Sequence, residues 1–303
     1  MPFKVTILGS NSATPISNRH PSAQVLQMNE RFFLIDCGEG TQMQLLRYKI
    51  NWNRIEHIFI SHLHGDHYLG LMGLIFTMHL NGRTRELNIF GHPDLMDIID
   101  LQLRVSSTEL RFSIIFHPLQ YYSTKVILED TDVRVRTIIL NHRIPTTGFV
   151  FTEKKHFRNL DIEKVRALNI PIAFYNNIKA GEDYIDETGE LIKNETLTLT
   201  PTPPIKYAYC SDTCYDESII DDIRGANLLY HESTFMNDME QRARETFHST
   251  ARHAAMIALK AEVKHLILGH FSSRYTNLEP LLQQAQEVFP NTDLALEGFV
   301  FNV

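Results

Sequence analysis

Ile58-Phe59-Ile60-Ser61-His62-Leu63-His64-Gly65-Asp66-His67 is the stretch on which the reading of this chain turns. Three apolar residues end at Ser61, and the six positions after it carry three imidazoles and a carboxylate. His62 and His64 are two apart, so in extended backbone both side chains leave on the same side. Gly65 lets the chain turn. Asp66 and His67 then open an apolar stretch, Tyr68 to Leu80, that reads as a helix. One pair of ligands at a strand end and another at a helix start suit two metal ions side by side, each with a position open to water. A lone histidine is ordinarily a surface or core residue. Four ligand-type side chains directly behind a buried strand are different, because burying them without partners costs on the order of several kcal/mol.

The same pattern recurs along the chain. Ile138-Ile139-Leu140 precedes His142, Tyr207-Ala208-Tyr209-Cys210 precedes Asp212, and Leu266-Ile267-Leu268 precedes His270. In layered α/β folds, loops beyond the carboxyl ends of strands converge on one edge, so these endings can meet. His62, His64 and His142 give one metal three nitrogens. Asp66, His67 and His270 give a second metal one oxygen and two nitrogens, and Asp212 has two oxygens with which to bridge. Imidazole with carboxylate suits Zn²⁺, while Mn²⁺ and Fe²⁺ accept the same donors. Asp36 also ends a strand, where it either orients a ligand histidine or simply caps the strand. His248 with Glu232 forms a further candidate, an imidazole held by a carboxylate and able to protonate a displaced oxygen. The other histidines, His20, His57, His79, His92, His117, His156, His253 and His265, carry no such pattern.

The chain of 303 residues has 43% hydrophobic and 21% charged residues, enough apolar content for an ordinary globular core. Its formal net charge of -7 makes it a poor generic nucleic-acid binder, so an RNA partner would need a local basic patch. The three cysteines, Cys37, Cys210 and Cys214, suggest neither a disulfide framework nor a cysteine-rich zinc site. The first residues lack the features of a signal peptide, and the longest apolar stretch, Leu69 to Leu80, is too short to span a bilayer. The expectation is a cytoplasmic protein with no membrane contact.

Strands are expected at Phe3–Leu8, Ala23–Met28, Arg31–Asp36, Leu87–Phe90, Val133–Leu140, Lys206–Cys210, Ala226–Tyr230 and His265–Leu268, with two short strands at the end. Helices are expected at Thr41–Tyr48, with Thr41 as N-cap, and at Leu95–Leu103, Ser249–Ala261 and about Leu278–Val288. Strands and helices alternate, so the class is α/β or a layered α+β arrangement. Residues 152–203 are more charged and less periodic, and read as an arm inserted in a single domain of residues 1–303.

Ser61-His62-Leu63-His64-Gly65-Asp66-His67 resembles the His-x-His-x-Asp-His motif of the metallo-β-lactamase superfamily. Further segments make the chain similar to the ribonuclease Z family. They are Asp36-Cys37-Gly38-Glu39-Gly40-Thr41-Gln42, His231-Glu232-Ser233-Thr234-Phe235, His248-Ser249-Thr250-Ala251 and His270-Phe271-Ser272-Ser273-Arg274-Tyr275. The superfamily motif alone is unspecific; the His-Glu-x-Thr and His-Ser-Thr pair is specific. The resemblance implies an αββα sandwich, two zinc ions per chain, usually a homodimer, and precursor tRNA as substrate, cut after the discriminator base. It also implies Asp66 as proton acceptor and the 152–203 arm as a grip on tRNA. The arm departs from the family pattern: Asn169-Ile170-Pro171 stands where a Gly-Pro pair is usual, and acidic residues dilute Lys154, Lys155, Arg158, Lys164, Arg166 and Lys179. Two competing readings are a small-molecule phosphodiesterase or other hydrolase of the superfamily, and a non-catalytic RNA-binding or structural protein. The complete ligand set disfavours the latter.

Overall fold

The computed structural model describes residues 3–154, 158–199 and 203–303. Lys155 and His156, both named above, lie outside the described residues. The chain divides into two compact units. The first comprises Met1–Ile127, Val135–Phe151 and Lys206–Val303, and the second Leu128–Arg134 and Thr152–Ile205.

The strands in chain order are β1 (Phe3–Gly9), β2 (Ala23–Met28), β3 (Arg31–Cys37), β4 (Ile55–Phe59), β5 (Leu87–Gly91), β6 (Ile114–Pro118), β7 (Val126–Glu129) and β8 (Val133–Leu140). They continue with β9 (Thr146–Glu153), β10 (Tyr184–Ile185), β11 (Leu191–Ile192), β12 (Lys206–Cys210), β13 (Leu228–Glu232), β14 (Leu266–Gly269), β15 (Thr292–Leu294) and β16 (Val300–Asn302). One sheet runs β16-β1-β2-β3-β4-β5-β6 and the other β15-β14-β13-β12-β9-β8-β7. In the first sheet β3, β4, β5 and β6 are parallel neighbours. In the second β12 to β15 are.

Parallel strands with both faces covered read as continuous apolar runs, and here the two faces differ in chemistry. Alternate residues of the first sheet, Leu34, Ile58, Ile60 and Ile89, pack on the helices Thr41–Arg47, Leu71–Leu80 and Asp94–Val105. The intervening positions are aromatic. Phe59 stacks on Phe90 and meets Phe149 and Phe151 of the opposite sheet at ring-centroid distances of 5.4 and 5.2 Å. Ala208, Leu229, Leu266 and Leu268 in the second sheet pack on Ala251–Lys260 and Glu279–Gln286. Within the first unit the order of layers is therefore helix, sheet, sheet, helix, with an aromatic layer between the sheets. Each fully buried side chain of this kind contributes about 1.5–3 kcal/mol of transfer free energy.

Three local expectations need correction. The Tyr68–Leu80 helix is two helices, Gly65–Tyr68 and Leu71–Leu80, so Asp66 and His67 lie inside a helix rather than ahead of one. The break falls at Gly70, whose N–H donates to Cys37 O and where a Cβ would come within 2.1 Å of Gly38 O. Thr41 is not the N-cap of the next helix. Gly40 takes that position at φ 84°, and Thr41 Oγ1 donates to Gly38 O instead. The strand expected at Ala226–Tyr230 runs over Leu228–Glu232, which puts His231 and Glu232 on the strand.

The second unit has a core of its own, formed by Leu160, Val165, Ile170, Ile178, Tyr184 and Leu197. It carries the helices Ile162–Ala167, Tyr175–Lys179 and Asn194–Leu197 and the β10–β11 hairpin. Ion pairs neutralise several of its cations: Lys154 with Glu129, Lys164 with Asp161, and Lys193 with Asp183. Arg166 is exposed and has no carboxylate partner among the described residues. Among the described residues, no helix is long and apolar enough to cross a membrane.

Candidate metal centre

Strand ends of both sheets bring two donor sets together. His62 Nε2 lies 3.1 Å from His64 Nδ1, which lies 3.2 Å from His142 Nε2. Asp212 Oδ2 closes this set at 3.6 Å from His62 and 3.7 Å from His142. In the second set, His67 Nε2 lies 3.5 Å from Asp66 Oδ2 and 3.3 Å from Asp212 Oδ1. His270 Nε2 lies 3.3 Å from Asp66 Oδ2 and 3.2 Å from Asp212 Oδ1. Four donors held tetrahedrally at roughly 2.0–2.1 Å from zinc stand about 3.3–3.4 Å apart. Both sets match that edge, and the two oxygens of Asp212 serve one set each.

The hydrogen bonds around the imidazoles show which nitrogen is left as a ligand. Asp36 is fully buried and accepts from Ser61 N (2.7 Å), Ser61 Oγ (2.9 Å), Tyr209 OH (2.6 Å) and His67 Nδ1 (2.7 Å). Ser61 Oγ, its proton spent on Asp36, accepts from His62 Nδ1 at 3.0 Å. His142 Nδ1 donates to Phe247 O at 2.8 Å, and His270 Nδ1 to Thr234 Oγ1 at 2.9 Å. Each of these four rings commits one N–H outward and turns the other nitrogen's lone pair inward. His67 Nε2 and Asp212 Oδ1 are buried and make no hydrogen bond, although they face each other. Unpartnered buried polar atoms are costly in a folded protein, and a bound cation satisfies both. The residues thus fit a divalent metal.

Burial, followed by the charge of His67, pushes His62 well below the usual imidazole range, and burial likewise lowers His64 and His142. Neutral imidazole is the ligating form. At His67 burial also opposes protonation, but Asp212, Asp66 and Asp36 outweigh it and push the ring well above its ordinary value. Metal binding therefore competes with a proton on His67 and weakens as pH falls.

Beside these donors, His248 Nδ1 donates to Glu232 Oε1 at 2.7 Å. Glu232 is fully buried, and its oxygens also accept from Thr213 N, Thr234 N and Thr234 Oγ1. Thr234 thus joins Glu232 to the candidate ligand His270, a linkage that the His-Glu-x-Thr pattern contains but does not by itself reveal. Burial disfavours the charged form of His248, but Glu232 overrides it through charge and hydrogen bond, and the pKa rises to about 9.

The backbone is strained around this cluster. Asp36 (φ 55°), His270 (φ 56°), Phe247 (φ 59°) and Ala13 (φ 61°) are non-glycine residues in the left-handed region. Phe247 supplies the carbonyl to His142, and Ala13 N donates to Asp66 Oδ2 at 2.7 Å. Such strain concentrates at functional sites, where the surroundings over-determine it. The donors open into a cavity of about 390 Å³ lined by Glu39, Asp66, Arg143 and His248 among others.

Of the two roles considered for Asp36, the geometry favours orienting: it holds His67 directly and His62 through Ser61. Asp36→Ala strands four buried hydrogen-bond donors. The expected result is a loss of about 3–5 kcal/mol of stability, as for other broken buried charge pairs, and roughly 10–100-fold weaker metal binding. Urea unfolding and metal titration of the purified variant measure the two effects.

The fold and this centre define a metal-dependent hydrolase of the metallo-β-lactamase fold. A family model described as "Anti-Pycsar protein Apyc1" matches residues 3–169, which stops short of Asp212, His248 and His270. Full-length relatives go further. The ribonuclease Z of Bacteroides fragilis is 44% identical over 301 residues, covering 99% of each chain. The crystal structure of human tRNase Z, short form, superimposes with a TM-score of 0.73 at 28% identity, covering 98% of each chain. The metallo-β-lactamase fold protein YhfI of Bacillus subtilis shares the fold at a TM-score of 0.69 and 20% identity, covering 100% of each chain. The chain belongs to the ribonuclease Z family.

Proposed function

We propose that this chain is a zinc endoribonuclease that removes the 3′ trailer from precursor tRNA, leaving a 3′-OH on the tRNA and a 5′-phosphate on the trailer. The observation that carries the reading is the four-donor set His62, His64, His142 and Asp212 beside the three-donor set Asp66, His67 and His270, whose two imidazoles face the other oxygen of Asp212, with His248 held at their edge by Glu232. Two zinc ions, held by His62, His64 and His142 and by Asp66, His67 and His270, would supply an activated water and neutralise phosphate charge. The side chains do the rest. Water adds to phosphorus and the bond from phosphorus to the 3′-oxygen breaks. Asp66 helps to take up the water's proton, acting indirectly because Ala13 N and the neighbouring imidazoles already engage its Oδ2. His248 protonates the departing 3′-oxygen, and Glu232 holds the His248 ring in place.

Incubation with a defined precursor tRNA, followed by end-group analysis of both products, tests this. Hydrolysis of a model phosphodiester with no cleavage of precursor tRNA would favour a small-molecule phosphodiesterase instead.

Two further assignments belong to the same reading. Met43, Leu46 and Leu80 are largely exposed on the helices Thr41–Arg47 and Leu71–Leu80, apolar surface that a second copy of the chain would cover. Homodimerisation is the reading this supports. Cys37, Cys210 and Cys214 are free thiols, as suits a cytoplasmic protein.

The second unit is proposed to hold tRNA phosphates through cations that its own carboxylates leave free. Arg166→Glu together with Lys179→Glu, two cations with no carboxylate partner among the described residues, is expected to raise KM for precursor tRNA about tenfold at low salt with little change in kcat. The gap to the parent enzyme should narrow as salt rises, since each lost phosphate contact reduces the salt dependence. Steady-state kinetics across a salt series reads this out, and an unchanged KM would refute it.

A further inference from the structure

A second cavity of about 630 Å³ lies beside the metal centre, and His248 is the one residue lining both. Its walls are unlike those of the first. The Tyr215 ring contacts the His253 ring at 4.9 Å between centroids, and Met256 adds an apolar surface. Tyr215 is fixed from behind, its hydroxyl donating to Glu217 at 2.6 Å. Two arginines line the cavity. Arg244 is tied to Glu240 at 2.9 Å, while Arg252 is exposed and has no carboxylate partner among the described residues. The first cavity holds Glu39, Asp66 and Asp212; the only carboxylate lining the second is Glu240.

The reaction proposed above, on which this step rests, makes the two sides of the scissile phosphate unequal. The phosphate departs with the trailer, so it belongs with the ligand cluster. The departing 3′-oxygen takes its proton from His248, so the nucleotide bearing that oxygen lies on the His248 side. From this juxtaposition we infer that the second cavity is the binding site for the last nucleotide of the tRNA body, the one whose 3′-oxygen leaves. Its unpaired base rests against Tyr215, His253 and Met256, and Arg252 meets its sugar–phosphate or the base face. Single-stranded RNA is commonly read in this way, with splayed bases on aromatic, histidine and arginine surfaces.

Binding to the metal-loaded enzyme of two mature tRNAs tests the assignment, one ending at that nucleotide and one shortened by it. The parent enzyme should bind the complete form about tenfold more tightly. Tyr215→Ala with Arg252→Ala should bind both alike. Equal affinities in the parent enzyme, or a preference that survives in the variant, would overturn the inference. A complete tRNA carrying 4-thiouridine at its 3′ end gives a readout that needs no variant. Photoadducts are expected on Tyr215 or Met256, and adducts on Glu39, Leu69 or Arg143 would overturn the assignment. Failure of the parent enzyme to cut precursor tRNA at all would instead remove the reading on which this one stands.

Discussion

Asp212→Ala is expected to abolish metal binding and hydrolysis together. The reason is geometric. Oδ2 lies 3.6 and 3.7 Å from His62 and His142, and Oδ1 lies 3.3 and 3.2 Å from His67 and His270. Removing the carboxylate leaves each donor set one ligand short and takes away the only group shared by both. It also removes the negative charge that sits among four buried rings. Asp212→Asn makes a finer test, because it keeps the size of the side chain but turns one oxygen into an amide that donates. One set should then keep its oxygen and the other lose it, giving a protein with one metal ion and hydrolysis close to background. Metal content by elemental analysis and cleavage of precursor tRNA should be measured on the same preparation. Full activity in Asp212→Ala would exclude a bridging role.

The residues that cluster at this site are legible in the sequence, and what makes them so is strand-end periodicity. The buried runs before His62, His142, Asp212 and His270 are strands β4, β8, β12 and β14, and a parallel or mixed sheet gathers such endings on one edge. Residues that act through backbone conformation were not legible. Nothing in the sequence marks Phe247 or Ala13, because a carbonyl or an N–H is a property of every residue and only the left-handed conformation aims these two at His142 and Asp66. Gly70 was hidden for a related reason. Its neighbour is Gly38, distant in sequence, so local helical periodicity ran straight through the break. Strands β6, β7 and β9 were also missed. The first two are edge strands with few buried side chains, which blurs alternation, and β9 is buried at each of its first six positions and carries Gly148, so it shows no alternation either. Thr234 sits two residues beyond Glu232, close enough that a turn lets its hydroxyl serve both Glu232 and His270.

The second large effect concerns proton transfer rather than metal binding. His248→Ala is expected to lower kcat for precursor tRNA by about 10²–10⁴-fold, the usual worth of a positioned general acid, while both metal ions stay bound. Metal retention is the decisive observation, because Asp212, His248 and His270 also lie close enough together to hold an ion. Loss of a metal in the variant would make His248 a ligand instead. The hydrogen bond of His248 Nδ1 to Glu232 argues for the acid role, since it fixes the ring and leaves the Nε2 proton for the 3′-oxygen. The sign of the pH dependence follows. A general acid works protonated, so in enzyme kept saturated with metal kcat should hold below the folded pKa and fall as pH rises through it. Against burial, Glu232 lifts that pKa to about 9, and bound cations nearby act in the opposite direction, so the falling limb lies at or below that value. Glu232→Gln removes the lifting charge, and the limb should move to lower pH with metal content unchanged. A pH profile that does not move on this substitution would show that His248 is not the group whose proton the reaction uses.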